Sequence, residues 1–441
     1  MKIFFRRIHL YLGLASGLLI LVVCFTGILL VFEKELEQAW HPERYFVTPA
    51  TTPRLPLAQL TDAVKAAKPK GKISSFKVYS DPTRTVEVNL AGNDKSGKGG
   101  PQGGPGARQG QPERGAETRS EEARGQQRQG AGRAEARSMA GMGGEKGGPS
   151  GKGGPGGKGG KGRNIGPRLF VNPYTGAVID EINPRETFFH FMEEIHRGLV
   201  AGPTGKLVMG INSIVFLFIL GTGIVLWWPT ASKALTQRLK VKWGSSWKRL
   251  NHDFHIVLGF YTSIFLLIMA LTGVGMSFDW VGNTINTLTN SPKQRPEPPT
   301  STVPTAGGAT FSADAALQAA QRQLPAAESY SVQLPKEPTG SMQVGILPTN
   351  ALTERATTDV YFDQYSGQVL RQTTYGQQPV GQRIRGLFKP VHTGAIFGWP
   401  TKVLSFVVIC LGFTFPITGT ILWWNRTRKG KKKPRKLVAA A

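Results

Sequence analysis

Cysteine is almost missing from this chain. Its 441 residues include two, Cys24 and Cys410, both inside apolar runs, so no disulfide framework supports the segments between those runs. No GxGxxG fingerprint sits on a βαβ pattern and no P-loop occurs, so no nucleotide site is visible. Acidic residues are few, 28 against 54 Lys and Arg, for a net charge of +26. In a soluble protein that excess suggests nucleic acid, but no arrangement of basic and aromatic residues supports a nucleic-acid partner. Charge of either sign is absent from four stretches, 10–32, 207–228, 256–278 and 403–424, each 22 or 23 residues long. About 20 apolar residues cross a hydrocarbon layer of about 30 Å, so the chain reads as an integral membrane protein with an α-helical four-span bundle and membrane lipid around it.

The basic residues indicate orientation. Lys2, Arg6 and Arg7 precede the first span. Lys233, Arg238, Lys240, Lys242, Lys248 and Arg249 fill the loop between the second and third, and 426–436 holds eight basic residues after the fourth. By the positive-inside rule these segments are cytoplasmic. The first run has a basic start, but it is too long for a signal peptide and no small-residue cleavage site follows, so it reads as an uncleaved anchor. The expected layout is 1–32 first span, 33–205 external domain, 206–228 second span, 229–254 cytoplasmic loop and 255–279 third span. An external domain at 280–401, the fourth span at 402–424 and a basic cytoplasmic tail at 425–441 complete it.

Within the first external segment, LAQLTDAVKAA (57–67) has helical spacing, while ISSFKVYS and RTVEVNL alternate as strands. From 93 to 166 the chain is Gly, Lys, Gln, Arg and Pro, with too little apolar surface to offset ordering, and it reads as a disordered insert. RLFVNPYTGAVIDEI (168–182) reads as a hairpin. The second segment has an amphipathic helix opened by a serine cap, FSADAALQAAQRQL (311–324), and a matching hairpin, TDVYFDQYSGQVLRQ (358–372). Each segment is therefore expected to carry one small α+β unit.

The repeat continues into the spans. His196 is followed by Gly198, Gly202 and Lys206, and His392 by Gly394, Gly398 and Lys402, at the same offsets of +2, +6 and +10. Both runs reach Thr-Gly, 222–223 and 418–419, at +26 and end in paired tryptophans. His9 and His255 share Leu at +3, Gly at +4 and Thr-Gly, 26–27 and 272–273, at +17. The chain reads as internally duplicated. Of its seven histidines, His41, His190 and His252 have no counterpart, and four remain in register. His9 and His255 fall at the cytoplasmic face, His196 and His392 at the external face. Each pair comes from two different helices and can hold one metal between opposing imidazoles. Two histidines are too few for a structural zinc site. They suffice where a porphyrin supplies four nitrogens. No CxxCH occurs, which excludes a covalently attached c-type haem. Glycines near each histidine admit a flat macrocycle, and Arg6 or Arg7, Arg249, Arg197 and Lys389 are candidate partners for its propionates. The Thr-Gly pairs read as close helix packing, the Trp pairs as interfacial residues, and Glu193 and Glu194 as solvated charges.

VNPYTGAV, FFHFMEEIHRGLVAG, TGIVLWWP and the opening RRIHLYLGLASG resemble the PepSY-associated transmembrane family, which includes iron-regulated inner-membrane proteins and haem-containing ferric-siderophore reductases. The resemblance covers nearly the whole chain except 93–166. It implies a bacterial inner membrane, two periplasmic α+β PepSY-like domains and two b-type haems. His9 and His255 would be the axial ligands of the cytoplasmic-side iron, His196 and His392 those of the periplasmic-side iron. The implied activity is that of a ferric-siderophore (ferric-chelate) reductase, an oxidoreductase drawing on an unknown cytoplasmic electron donor. Two other readings stand beside it. One is a non-catalytic, membrane-anchored PepSY interaction or regulatory module. The other is a haem electron carrier to a quinone or a periplasmic partner. A solute carrier is disfavoured by the absence of charge inside the spans.

Overall fold

All four uncharged stretches, save the end residues Phe32, Trp228 and Phe278, lie within long helices of the computed structural model, which describes residues 1–92, 165–229, 232–304 and 310–428. The first span is α1 (Lys2–Val31), which turns at Phe32 into α2 (Glu33–Trp40) and α3 (Pro42–Tyr45). Next come α4 (Leu57–Ala67) and strands β1 (Ile73–Tyr79), β2 (Val86–Ala91), β3 (Ile165–Val171) and β4 (Val178–Ile182). The amphipathic α5 (Phe188–Gly198) leads into the second span, α6 (Gly202–Trp227). After α7 (Ser232–Arg238) and α8 (Trp247–Asp253), a π-helical turn at Phe254–Leu258 opens the third span, α9 (Gly259–Ser277). The second half continues with α10 (Asp279–Leu288) and α11 (Ala313–Gln323), then β5 (Ala327–Gln333), β6 (Met342–Pro348), β7 (Thr358–Phe362) and β8 (Val369–Thr373). It ends with α12 (Val380–Thr393) and the fourth span, α13 (Trp399–Arg428).

Mean hydropathy over the four spans runs from 2.0 to 2.7, so each is long and apolar enough to cross a membrane. The helices overrun the uncharged stretches: α1 starts at Lys2 and α13 reaches Arg428. Apolarity marks the part suited to lipid, whereas the backbone hydrogen-bond ladder continues into water. Two apolar clusters fill the bundle, one around Leu220, Leu266, Ala270 and Val408, the other around Ile20, Cys24 and Ile219. Phe216 packs against both.

The expectation of two separate external domains, 33–205 and 280–401, is corrected by the sheet. Its eight strands run β4-β3-β2-β1-β5-β6-β7-β8, every neighbouring pair antiparallel. The halves join where β1 pairs β5, from Ser75 opposite Gln333 to Tyr79 opposite Ser329. A four-stranded unit ending at β1 would leave a row of unpaired backbone groups, and β5 would leave another. Pairing them removes both edges. One face of the sheet then carries one core, with Phe76, Val88 and Leu169 from the first half and Val332, Ile346 and Phe362 from the second. Helices α4 and α11 cover it through Leu57, Leu60, Val64, Ala316 and Ala320. They also interlock. Pro56, just ahead of α4, provides no side-chain cap, and the Asp314 carboxylate accepts from the amides of Leu57 at 2.5 Å and Ala58 at 3.0 Å. A residue of the second segment thus caps a helix of the first, where carboxylates are favoured.

The two hairpins have the same turn. Asn172 Oδ1 accepts from the Tyr174 amide at 2.9 Å, and Asp363 Oδ1 from the Tyr365 amide at 2.9 Å. Gly176 and Gly367 then take φ of +74° and +72°, a region glycine enters without strain. The serine cap of α11 is present too, Ser312 accepting from the Ala315 amide at 3.1 Å. The insert reading of 93–166 lies outside the described residues except for its last two positions, as does most of the basic tail.

Candidate functional site

Each hairpin delivers the chain to a short amphipathic helix that ends beside a span. Helix α5 carries His196 and α12 carries His392, both near their C-terminal ends. At the other end of the bundle, His9 lies near the start of α1 and His255 lies in the π-helical turn. A π turn inserts one residue into a helix and is frequent at functional sites.

The structure brings the four together as two pairs. The rings of His9 and His255 are centred 6.3 Å apart with planes at 86°, and those of His196 and His392 are 6.0 Å apart at 79°. Two imidazoles on one metal, with bonds of about 2 Å and ring centres roughly 1.1 Å behind each nitrogen, stand about 6 Å apart. Both pairs have that spacing. His9 and Thr26, which holds His196, are 17 residues apart on α1 (26 − 9), or about 25 Å at 1.5 Å per residue, so the pairs sit at opposite ends of the spans.

The hydrogen bonds of all four rings run through Nδ1. His9 meets Thr222 Oγ1 at 3.0 Å, His196 meets Thr26 at 2.9 Å, His255 meets Thr418 at 2.9 Å and His392 meets Thr272 at 3.1 Å. Each threonine hydroxyl donates to the carbonyl four residues back on its own helix, from Thr222 to Phe218, Thr26 to Val22, Thr418 to Thr414 and Thr272 to Ile268. With that proton committed, the threonine oxygen accepts from the imidazole. The carbonyls of Ile219 and Met269, which can only accept, lie 3.1 and 2.9 Å from Nδ1 of His9 and His392. Nδ1 therefore carries the proton and Nε2 keeps its lone pair, the tautomer that binds a metal through Nε2. Burial, and then the neighbouring His392, push the His196 imidazole down to about 3, and burial lowers His392, so both stay neutral at physiological pH.

The glycine of each Thr-Gly pair makes room for the ring. A methyl group would fall 3.3 Å from His9 Cε1 at Gly223, 3.5 Å from His196 Cε1 at Gly27, 3.2 Å from His255 Cε1 at Gly419 and 3.4 Å from His392 Cε1 at Gly273. The exchange is reciprocal. Span one holds the histidine ahead of span two and receives the hydroxyl of span two, and spans three and four do the same. Helix packing, the role expected of these Thr-Gly pairs, accounts for the glycines, and the threonines add a bond to each imidazole. Their signal was already visible, since they keep constant offsets of +17 and +26 from the histidines. The glycines after His196 and His392 differ from the sequence reading. Gly202, Gly394 and Gly398 take φ of +57°, +75° and +70°, so they shape the turn into the span. Gly13, one turn past His9, has no neighbour within 4 Å of a Cβ, and Gly259, one turn past His255, has Phe415 at 4.0 Å. That leaves a flat group room beside the first pair.

His41, His190 and His252 join neither pair. They face Glu43 at 3.5 Å, Glu194 at 3.7 Å and Asp253 at 3.2 Å. Arg197 and Arg249, considered as propionate partners, are in ion pairs with Glu193 at 2.9 Å and Asp253 at 2.8 Å. Glu193 thus has a cationic neighbour, and Glu194 lies beside the His190 imidazole. Among the described residues no group of three or more His, Cys, Asp or Glu can hold a metal ion. Two imidazoles per site fit a metal whose other ligands come from a macrocycle.

Four apolar helices joined to an antiparallel sheet, with histidines paired across the helices, define a multi-span membrane protein with an extramembrane sheet domain. The chain belongs to the family described as the PepSY-associated TM region, whose model matches residues 6–426. No curated protein matches the chain.

Proposed function

We propose that the chain is a di-haem b-type protein of the bacterial inner membrane. It carries electrons from the cytoplasmic side to the periplasm and reduces ferric siderophore, releasing Fe(II). The observation that supports this is the pairing of four imidazoles at two levels of one bundle, each with Nδ1 on a threonine hydroxyl. His9 and His255 would hold one haem, His196 and His392 the other. A bis-histidine haem, when bound, supplies a one-electron couple with no open coordination position.

The chain's own residues set the conditions. Thr222, Thr418, Thr26 and Thr272 fix the tautomer and orient the rings. The apolar interior around Phe216 keeps water from the space between the levels. The basic flanks of α1, α8 and α13 support a cytoplasmic first pair. In the net reaction the donor loses one electron and one Fe(III) becomes Fe(II). Oxygen-rich chelators hold Fe(II) far less tightly, so reduction unloads them.

Vesicles containing the haem-loaded protein test this. They enclose a ferric trihydroxamate and the Fe(II) trap ferrozine, and dithionite is added outside. Ferrozine colour should develop many times faster than in protein-free vesicles, and equal rates would contradict the reading. Thr418→Val removes one acceptor while conserving shape. It should weaken haem binding at the His9–His255 level by about 10-fold or more and raise that haem's reduction potential, read by redox titration. The potential at the His196–His392 level should stay in place.

A further inference from the structure

The aromatic end of α5 faces α2 across a cleft that neither histidine pair uses. It encloses about 250 Å³ and is lined by Glu37, Trp40, Arg44, Glu186, Phe188 and Phe189, among others. Trp40 stacks on Phe189 with centres 5.4 Å apart at 21° and meets Phe188 at 6.1 Å. Even so, Trp40 remains 54% exposed and Phe188 48% exposed. Two aromatic side chains are thus left partly uncovered by the rest of the protein, in a fixed geometry.

The charge around them has the opposite sign to the protein as a whole. Arg44 is neutralised by Asp180 at 2.7 Å, and His41 faces Glu43 at 3.5 Å. The Tyr45 hydroxyl donates to Glu37 at 3.0 Å and the Asn183 amide to Glu186 at 2.6 Å. Two carboxylates, Glu37 and Glu186, thus line the cleft beside the Arg44 guanidinium, which Asp180 neutralises, in a chain of net charge +26. Burial raises the Glu33 carboxyl, Lys389 opposes this, and the Glu37 and Glu193 carboxylates add to the rise.

Carboxylates beside open aromatic faces recognise an organic cation, because both attract positive charge and the rings also cover its apolar stem. The volume lies below that of a typical drug-sized site, roughly 300–1,000 Å³, so the cleft suits one arm of a ligand. Phe188 and His196 are eight residues apart on one helix, about 12 Å along its axis. We propose that this cleft binds an alkylammonium arm of the electron-accepting chelate and so selects cationic ferric chelates. The inference rests on the function proposed above.

Calorimetric titration of the full-length, haem-loaded protein tests it. The probes are two ferric complexes of one linear trihydroxamate, with its terminal ammonium free or acetylated. The ammonium complex should bind at least about tenfold tighter. Glu37→Gln with Glu186→Gln should abolish that preference and leave the haem spectrum unchanged. Where the double variant loses haem, Glu186→Gln alone, in the loop ahead of α5, should reduce the preference. Equal binding of the two complexes, binding of neither, or a preference that survives the substitutions would overturn the proposal. These failures differ from failure of the electron-transfer reading, in which the wild-type protein lacks haem or moves no electrons across the vesicle.

Discussion

His9→Ala should yield a protein with one haem instead of two, half the reduced b-type absorbance, and no electron transfer across vesicles. His392→Ala should do the same by emptying the other level. Each pair draws on two helices that share no ligand with the other pair, and the remaining haem reports that the bundle has folded. His255→Ala added to His9→Ala should cost nothing further, because both residues act on one iron and their effects are not additive. His41→Ala, His190→Ala and His252→Ala should retain both haems, since these rings lie beside carboxylates and outside the pairs. Pyridine haemochrome analysis of each variant provides the count. Two haems in His9→Ala would remove that residue from the ligand set.

Gly419→Val has a comparable expected effect through shape alone. A Cβ at Gly419 stands 3.2 Å from His255 Cε1 and 3.8 Å from its Nδ1, and the bond to Thr418 fixes the ring plane. Alanine asks the ring to move by a few tenths of an ångström, so Gly419→Ala should retain the haem with a shifted potential. Valine places two further carbons where the ring lies, and that haem should be lost. Gly27→Val should remove the haem of the other level instead, through His196. Gly221→Ala is the control on a neighbouring helix, because nothing lies within 4 Å of its Cβ. Loss of both haems in Gly419→Val would mean that the substitution disrupts the bundle as a whole.

The spans and the histidine pairs were legible because each depends on local pattern. Apolar runs mark helices suited to lipid, and constant offsets between His9 and Thr26 or His196 and Thr222 survive without knowledge of the fold. The same holds for α4, α11 and the two hairpin turns, where helical spacing, a serine cap and an Asx-Gly turn are written in adjacent residues. The single sheet was not legible. Val78 meets Tyr330 across the β1–β5 pair, some 250 residues away in sequence (330 − 78 = 252), and no local pattern specifies that partner. Strands β5 and β6 went unnamed, since AESYSVQ and MQVGILP are short and weakly alternating. The threonines have a second role, the bond to an imidazole, that local pattern does not assign. A Thr-Gly pair in a span suits packing, and its second use appears only when an imidazole from another helix lies against it.

The most direct test of the central claim is an absorbance spectrum of the detergent-purified protein, oxidised and dithionite-reduced, with haem counted by the pyridine haemochrome assay. The account predicts sharp reduced b-type bands and about two haems per chain, one for each bis-histidine level. A colourless protein from haem-replete cells would contradict it and leave the four imidazoles as structural residues of a membrane-anchored interaction module.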